Sequence, residues 1–241
     1  MKDDTLVLIP TYNNAGTLQD VVSRALLQGL PVLVVDDGST DATPEILQGL
    51  VHSSRNQLSV LRHHENRGKG KALKSGFEAA RRRGFRYVLT LDADGQHYPE
   101  DIGRLLEEKA ERTLVVGSRE KRGADGGSSF ANRFSNFWFA LFTWIKLPDT
   151  QTGYRLYPLE ALPGLWLLSA RYEAELALLV FSAWRGLRLI PVPVRVAYPE
   201  DRVSHFRPVK DFLRITLLNF GLLALALLYG YPRMLLRRLF A

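Results

Sequence analysis

The first half of the chain alternates short apolar runs with amphipathic stretches, the pattern of strands laid in a sheet and separated by helices. Thr5–Ile9 (TLVLI) and Pro31–Asp37 (PVLVVDD) read as buried strands, and LSVLRH, RYVLTLDAD and RTLVVGSR repeat the pattern. Between them, TLQDVVSRALLQ, ATPEILQGLV, GKALKSGFEAARR and PEDIGRLLEEKAE bring apolar residues back at helical spacing. Pro44 and Pro99 suit first helical turns, where a missing N–H leaves no bond unmade. RLIPVPVRV (Arg188–Val196) alternates like a strand, and its prolines assign it to a sheet edge. The expected class is α/β. Polar clusters close the apolar runs at Pro10–Asn14, Asp36–Ser39, Asp92–Gln96 and Gly117–Arg119. Ligands of open α/β sheets bind beyond the carboxyl ends of the strands, so these four loops are expected to line one crevice.

The second half is more apolar. After the glycine-rich Glu120–Ser129 loop, FANRFSNFWFALFTWIKL is densely aromatic and flanked by Arg133 and Lys146, which suits a core helix or an interfacial one. Ile215–Tyr231 (ITLLNFGLLALALLYGY) carries no charge over 17 residues. At 1.5 Å per helical residue it spans roughly 25 Å, short of a ~30 Å hydrocarbon core. Arg207, Lys210 and Arg214 precede it and Arg233, Arg237 and Arg238 follow, so a single crossing would strand one basic cluster on the wrong side. In-plane or re-entrant membrane contact is the expectation, with a span or a buried helix as alternatives. The chain is therefore expected to divide into a catalytic domain, residues 1–208, and a membrane-associating segment, residues 209–241. No basic-then-apolar signal precedes the first strand, which puts the expected location at the cytoplasmic face of a membrane.

With 241 residues, 46% hydrophobic and 24% charged, the chain can bury one large core. A formal charge of +7 and a pI near 9.7 imply an anionic partner: a nucleotide, a phospholipid headgroup or nucleic acid. Nucleic acid is disfavoured, because the charge sits in loops and beside apolar helices and no groove-reading motif occurs. With no cysteine, disulfides are excluded.

The chemistry concentrates at the loops. Asp92 and Asp94, read as residues i and i+2 of one strand, would point to the same side, and with Gln96 they form a hard-oxygen set suited to Mg²⁺ or Mn²⁺. Asp94 as a turn-former is the simpler alternative. His97 reads as a turn or supporting residue rather than a ligand. Asp36 and Asp37 could accept the N–H of a base, while Ser39, Thr40 and Asp41 suit a helix cap. HHENRGKGKALKSG sets Arg67, Lys69 and Lys71 among glycines at a helix start, where a phosphate would be favoured.

In order along the chain, IPTYNN, VVDDGSTD, NRGKGKAL…G, LDADGQ and VVGSR resemble the family 2 nucleotide-sugar glycosyltransferases of GT-A fold. ANRFSNFWF…LPDTQTGYRLYPLEAL, YEAELALL and LIPVPVRV…EDRVSHFRP are similar to the dolichol-phosphate mannosyltransferase branch, polyprenyl-phosphate sugar synthases included. The resemblance runs from about Leu6 to Arg214. It implies a Rossmann-like mixed, mainly parallel sheet with helices on both faces. It also implies that Pro10, Tyr12 and Asp37 hold the nucleoside base with Asp36 beside them, and that Asp92, Asp94 and Gln96 hold a divalent metal and the donor diphosphate. Arg119 and Arg133 correspond to arginines that meet a lipid phosphate, Glu175 to an acid near the donor sugar, and Arg202 and Ser204 to a phosphate-contacting loop. Asn14 stands where the family has glutamate. VSHFRP replaces the family's G-x-S-K, leaving Arg207 or His205 to replace the lysine. From the residues alone, Arg133 could instead snorkel and Glu175 could be a solvated helix position.

The implied reaction moves a hexose from a nucleoside-diphosphate sugar, of GDP-mannose or UDP-glucose type, onto a polyprenyl or dolichyl monophosphate with inversion. A lipid monophosphate is already anionic at pH 7 and needs steering cations, with Lys69 or Arg67 adding fixed positive charge on the donor side. A sugar hydroxyl on a glycolipid or glycan would need a carboxylate base, Glu173 or Glu175. Such enzymes usually carry an E-D pair before Q-x-x-R-W, and this chain has no Q-x-x-R-W.

Overall fold

The computed structural model describes residues 4–119, 130–162, 173–197 and 219–240. The Glu120–Ser129 loop and the candidate residues Arg202, Ser204, His205 and Arg207 lie outside these residues, as does the side chain of Glu173. The strands are β1 (Thr5–Thr11), β2 (Val32–Asp36), β3 (Leu58–Arg62), β4 (Tyr87–Thr90), β5 (Thr113–Arg119), β6 (Arg155–Pro158) and β7 (Arg188–Val194). The helices are α1 (Ala15–Leu26), α2 (Thr43–Ser53), α3 (Lys69–Arg82), α4 (Ile102–Glu107), α5 (Phe130–Thr143) and α6 (Glu173–Trp184). A seventh, α7 (Asn219–Leu239), passes through a π-helical turn at Ala226–Gly230.

The strands form one sheet in the order β3-β2-β1-β4-β6-β5-β7. All neighbours are parallel except β6, which runs antiparallel to both β4 and β5. The two-residue period of the strands divides the core. Leu6, Leu8, Leu33 and Val35 face Phe77 and Ala80 of α3, in the cluster that also holds Phe139, Phe142 and Trp184. Val7, Ile9, Val32 and Val34 face Leu18 and Val22 of α1, Leu47 of α2 and Leu105 of α4. With helices on both sides, β1 and β2 are buried along their whole length and read as unbroken apolar runs. The proline-bearing β7 lies at the sheet edge, as expected.

The strand predicted over RYVLTLDAD ends early, at Thr90. Leu91 donates the last ladder bond to Leu8 (3.0 Å), and the chain then turns. Asp92 and Asp94 are therefore placed by a turn and not by strand alternation. Thr17, in the first turn of α1, donates its hydroxyl to the Ala93 carbonyl (2.6 Å) and fixes that turn to the helix.

Helix α7 lies on α5 and α6. Leu222 and Ala226 enter the core cluster with Phe139 and Trp184, while a Cβ on Gly230 would meet the Trp184 indole. Tyr231 stacks on Trp144 at 5.0 Å and donates its hydroxyl to the Leu141 carbonyl (2.8 Å). Its other face is apolar and exposed: Phe220 at 62%, Leu227 at 61%, Leu228 at 81%. Among the described residues, α7 is the one helix long and apolar enough to cross a membrane.

Gly38 closes the loop after β2 with φ 75°, and a Cβ there would fall on the backbone of Glu65 and Asn66. Gly38→Ala combines a left-handed side-chain residue with a backbone clash. It is expected to lower the unfolding free energy by more than about 2 kcal/mol, measured by urea denaturation. A midpoint equal to wild type would show that the loop yields freely.

Candidate active site at the strand ends

The first two loops are laced together. Asn13, with φ 53°, donates its backbone N–H to Ser39 Oγ (3.0 Å), and its side-chain oxygen accepts from Thr40 N (2.8 Å). Asp41 caps two helices, accepting from Thr43 N (3.0 Å) and Ala15 N (3.1 Å). Asn14 turns its side-chain oxygen back to Tyr12 N and Thr11 Oγ1, both at 3.3 Å, so this residue organises the loop. Pro10 lies within β1, and Tyr12 is half-buried beyond it. Asp36 is fully buried, accepting from Ser39 N (2.9 Å) with Arg62 Nε 3.2 Å from its other oxygen.

Asp37 is also buried, and three donors already use it: Arg67 N (3.1 Å), Gly68 N (2.7 Å) and His63 Nδ1 (2.6 Å). The far nitrogen of His63 meets Ser75 Oγ on α3 at 2.9 Å. In this arrangement Asp37 clamps the loop that leads into α3, and the first residue of that helix is Lys69.

Lys69 joins three parts of the chain. Its ammonium lies 2.7 Å from Asp92 Oδ1 and 2.8 Å from Glu175 Oε2 on α6. Burial disfavours the charged form, but Asp92 and Glu175 outweigh it and hold the Lys69 pKa well above its ordinary value. For Asp92 burial acts upward, and the Lys69 charge, with smaller help from His97 and Arg155, brings the net shift down. Glu175 is 7% exposed, so the solvated reading does not hold.

The Asp149–Gly153 loop, between α5 and β6, backs this cluster. A Cβ on Gly153 would fall on the Asp92 carboxylate, so only glycine lets the chain pass so close. Thr90 Oγ1 donates to the Gly153 carbonyl (2.6 Å). Arg155, fully buried on β6, donates to the Glu175 carbonyl (2.9 Å), the Thr150 carbonyl (2.9 Å) and Tyr157 OH (3.2 Å). Sequence reasoning gave Arg155, Asp149 and Gly153 no role. The available signal was an arginine inside a four-residue apolar strand, where a charge must find partners.

Arg119, at the end of β5, makes a two-pronged pair with Asp149, Nε to Oδ2 at 2.5 Å and Nη2 to Oδ1 at 3.1 Å. Arg133 is exposed on α5. Asp94 accepts from Gln96 N (3.1 Å), and the Gln96 carbonyl accepts from Ala197 N (2.8 Å) just beyond β7. His97 is buried against Tyr154, its Nε2 3.4 Å from Thr152 Oγ1. Burial pushes its pKa down to about 4 against the pull of Asp92 and Asp149, so the ring is neutral at pH 7. The structure thus brings Lys69, Asp92, Glu175, His97, Asp149 and Arg119 into one electrostatic unit at the carboxyl ends of the strands.

The donor set fits a divalent cation completed by substrate. Among the described residues no three His, Asp or Glu side chains could ligate a metal by themselves. Mg²⁺ and Mn²⁺ commonly take one or two carboxylates plus phosphate oxygens, which Asp92 and Asp94 can begin.

A sequence model described as Glycosyl transferase family 2 matches residues 6–163. The chain belongs to that family. It is 32% identical over 216 residues to polyprenol monophosphomannose synthase of Mycolicibacterium smegmatis, covering 83% of this chain and 80% of that protein. It is 28% identical over 240 residues to the UDP-N-acetylglucosamine–dolichyl-phosphate N-acetylglucosaminyltransferase of Methanococcus voltae, covering 89% and 96%. Among solved structures it resembles glucosyl-3-phosphoglycerate synthase of Mycobacterium tuberculosis, determined with Mn²⁺, UDP and glucosyl-3-phosphoglycerate. That likeness has a TM-score of 0.65 at 18% identity, covers 93% and 80% of the two chains, and establishes the GT-A fold. The protein is a glycosyltransferase of the polyprenyl-phosphate branch.

His97 sets a pH dependence on stability. Its folded pKa of about 4 lies below the unfolded value near 6.5, so between these limits the unfolded chain binds a proton that the native state refuses. Stability is complete above pH 6.5 and falls toward pH 4, by about 3 kcal/mol for a shift of this size. Urea titrations from pH 7 to 4 should show the decline, and His97→Gln should flatten it. An equal slope in the variant would assign the decline to other groups.

Proposed function

We propose that the protein transfers a hexose from a nucleoside-diphosphate sugar to a polyprenyl or dolichyl monophosphate at a membrane surface, with inversion at the anomeric carbon. The observation that carries this reading is the Lys69 bridge. Asp92 and Glu175 both face an ammonium, Asp94 accepts a backbone N–H, and His97 is held near pKa 4. A phosphate acceptor asks no proton transfer of these groups, whereas a sugar hydroxyl would. A lipid monophosphate has a second pKa near ~6 and attacks without a base. The names of the relatives, which act on polyprenol and dolichyl phosphates, support the same acceptor.

Asp92, Asp94 and Gln96 would hold Mg²⁺ or Mn²⁺ together with the donor diphosphate. When bound, such an ion supplies Lewis-acid neutralisation of the charge on the departing diphosphate. Lys69 keeps Asp92 ionised and holds Glu175 in place, and Glu175 borders the donor sugar. Pro10, Tyr12, Asp36 and Asp37 form the base end. Arg119, aligned by Asp149, meets the incoming lipid phosphate with Arg133, and Arg202, Ser204 and Arg207 are assigned to it by resemblance.

Residues 1–208 serve as the catalytic domain and 209–241 as the membrane-contacting segment. Because α7 is seated on α5 and α6 from Leu222 to Tyr231, a bilayer crossing would have to take that face with it. In-plane contact through Leu227 and Leu228 accords with the packing.

Incubating the purified protein with Mn²⁺, labelled nucleotide sugars and either polyprenyl phosphate or a neutral glycolipid tests the acceptor. Label is expected only in the lipid phosphate, and label only in the neutral acceptor would overturn the assignment. Asp94→Asn should fold like wild type yet lose at least about 100-fold in turnover, the scale of removing a charge-stabilising group. It should also lose the Mn²⁺-dependent part of the thermal shift given by GDP or UDP, and retention of both would refute the metal assignment.

A further inference from the structure

At the end of the sheet opposite Lys69 and Asp92, four arginines gather, and among the described residues no carboxylate is paired with them. Arg112 stands immediately before β5 and Arg185 immediately after α6, and Arg112 Nη2 donates to the Arg185 carbonyl (2.9 Å). From α7, Arg237 reaches over Gly186, where a Cβ would fall on its guanidinium group. Burial and the charges of Arg233, Arg112 and Arg185 all press on Arg237 in the same direction, against ionisation. Glu111, the acid next to this group in sequence, is paired with Arg86 at 2.9 Å. Like charges held this close call for an anion.

The surroundings say which kind. Arg233, Leu236, Arg237 and Phe240 share one open, shallow surface at the end of α7, where the apolar pair flanks the two arginines. Leu236 and Phe240 are 55% and 85% exposed, and the apolar surface continues along α7 through Leu228 and Leu239. Arginine suits phosphate, which it can grip through two parallel N–H groups. A free inorganic phosphate would make no use of the apolar walls, whereas a phospholipid uses both. We propose that Arg112, Arg185, Arg233 and Arg237 form a docking site for the phosphate headgroup of an anionic phospholipid, distinct from the site of the acceptor. The seven residues of β5 put Arg112 roughly 23 Å from Arg119, at ~3.3 Å per residue, too far for one headgroup to serve both. The proposal rests on reading α7 as a membrane-contacting helix.

Flotation of the full chain with phosphatidylcholine vesicles, and with vesicles containing phosphatidylglycerol, tests it. Wild type should bind the anionic vesicles more tightly, in a salt-sensitive way. Arg112→Gln/Arg185→Gln, which leaves α7 untouched, should lose roughly 25-fold of that preference, at about fivefold per arginine, with neutral-vesicle binding unchanged. Arg112→Lys/Arg185→Lys, which keeps the charge but loses the two-pronged grip, should fall between wild type and the glutamine pair. Should the glutamine pair melt below wild type, Arg233→Gln/Arg237→Gln carries the same expectation. Undiminished preference in both glutamine pairs overturns the site. So does millimolar inorganic phosphate releasing the protein from anionic vesicles at constant ionic strength, since it would make the ligand free phosphate. Failure to bind either vesicle refutes the reading of α7 as well, whereas equal binding to both refutes the headgroup site alone.

Discussion

The site depends on one buried ion cluster. Lys69 opens α3, Asp92 follows β4 and Glu175 lies in the first turn of α6, and their side chains meet within 2.8 Å. Moving charges out of water costs several kcal/mol each, so the arrangement persists only because each charge has its opposite at contact distance. Removing the ammonium would leave two carboxylates confronting one another, and removing either acid would leave Lys69 half-compensated. The supporting contacts make sense in this light. Asp37 fixes the loop into α3, Gly153 makes room for the Asp92 carboxylate, and Arg155 holds the backbone of α6 at Glu175.

Topology puts those pieces within reach. Parallel β1, β2 and β4 deliver their carboxyl ends to one side. Antiparallel β6 begins at that same side, so the loop before it brings Asp149, Thr152 and Gly153 against the acidic turn. A parallel strand in that slot would have presented its far end and left Asp92 without a backing.

Much of this was legible in the sequence because period and punctuation carried it. The apolar runs gave the strands, and the polar residues closing them gave the loops at the strand ends. The reach of β4 was misjudged because alternation in RYVLTLDAD continues past the last ladder bond, and apolar Leu91 and Ala93 are buried whether or not a strand continues. The partners of Glu175 and Arg155 were opaque for another reason. A helical glutamate and a strand arginine look the same in sequence whether solvated or paired, and their partners lie on elements remote in the chain. Asp37 was legible as an acid at a strand end. Its use as a clamp depends on Arg67 and Gly68 folding back, which no local pattern announces.

The far half of α7 completes the physical argument. Trp144 adopts φ 57° at the end of α5, a conformation that costs a bulky residue free energy, and its ring lies against Tyr231 with the Arg238 guanidinium 5.3 Å away. Strain of this kind persists where the surroundings over-determine it. Here two stacked rings, a hydroxyl donated to the Leu141 carbonyl and a guanidinium over an indole fix α7 to the body at the level where its sequence turns from apolar to basic. A helix held so firmly cannot tilt independently of the sheet. Any surface that receives Leu227 and Leu228 therefore also sets the orientation of the sheet, and with it that of the strand ends that carry Asp92 and Arg119.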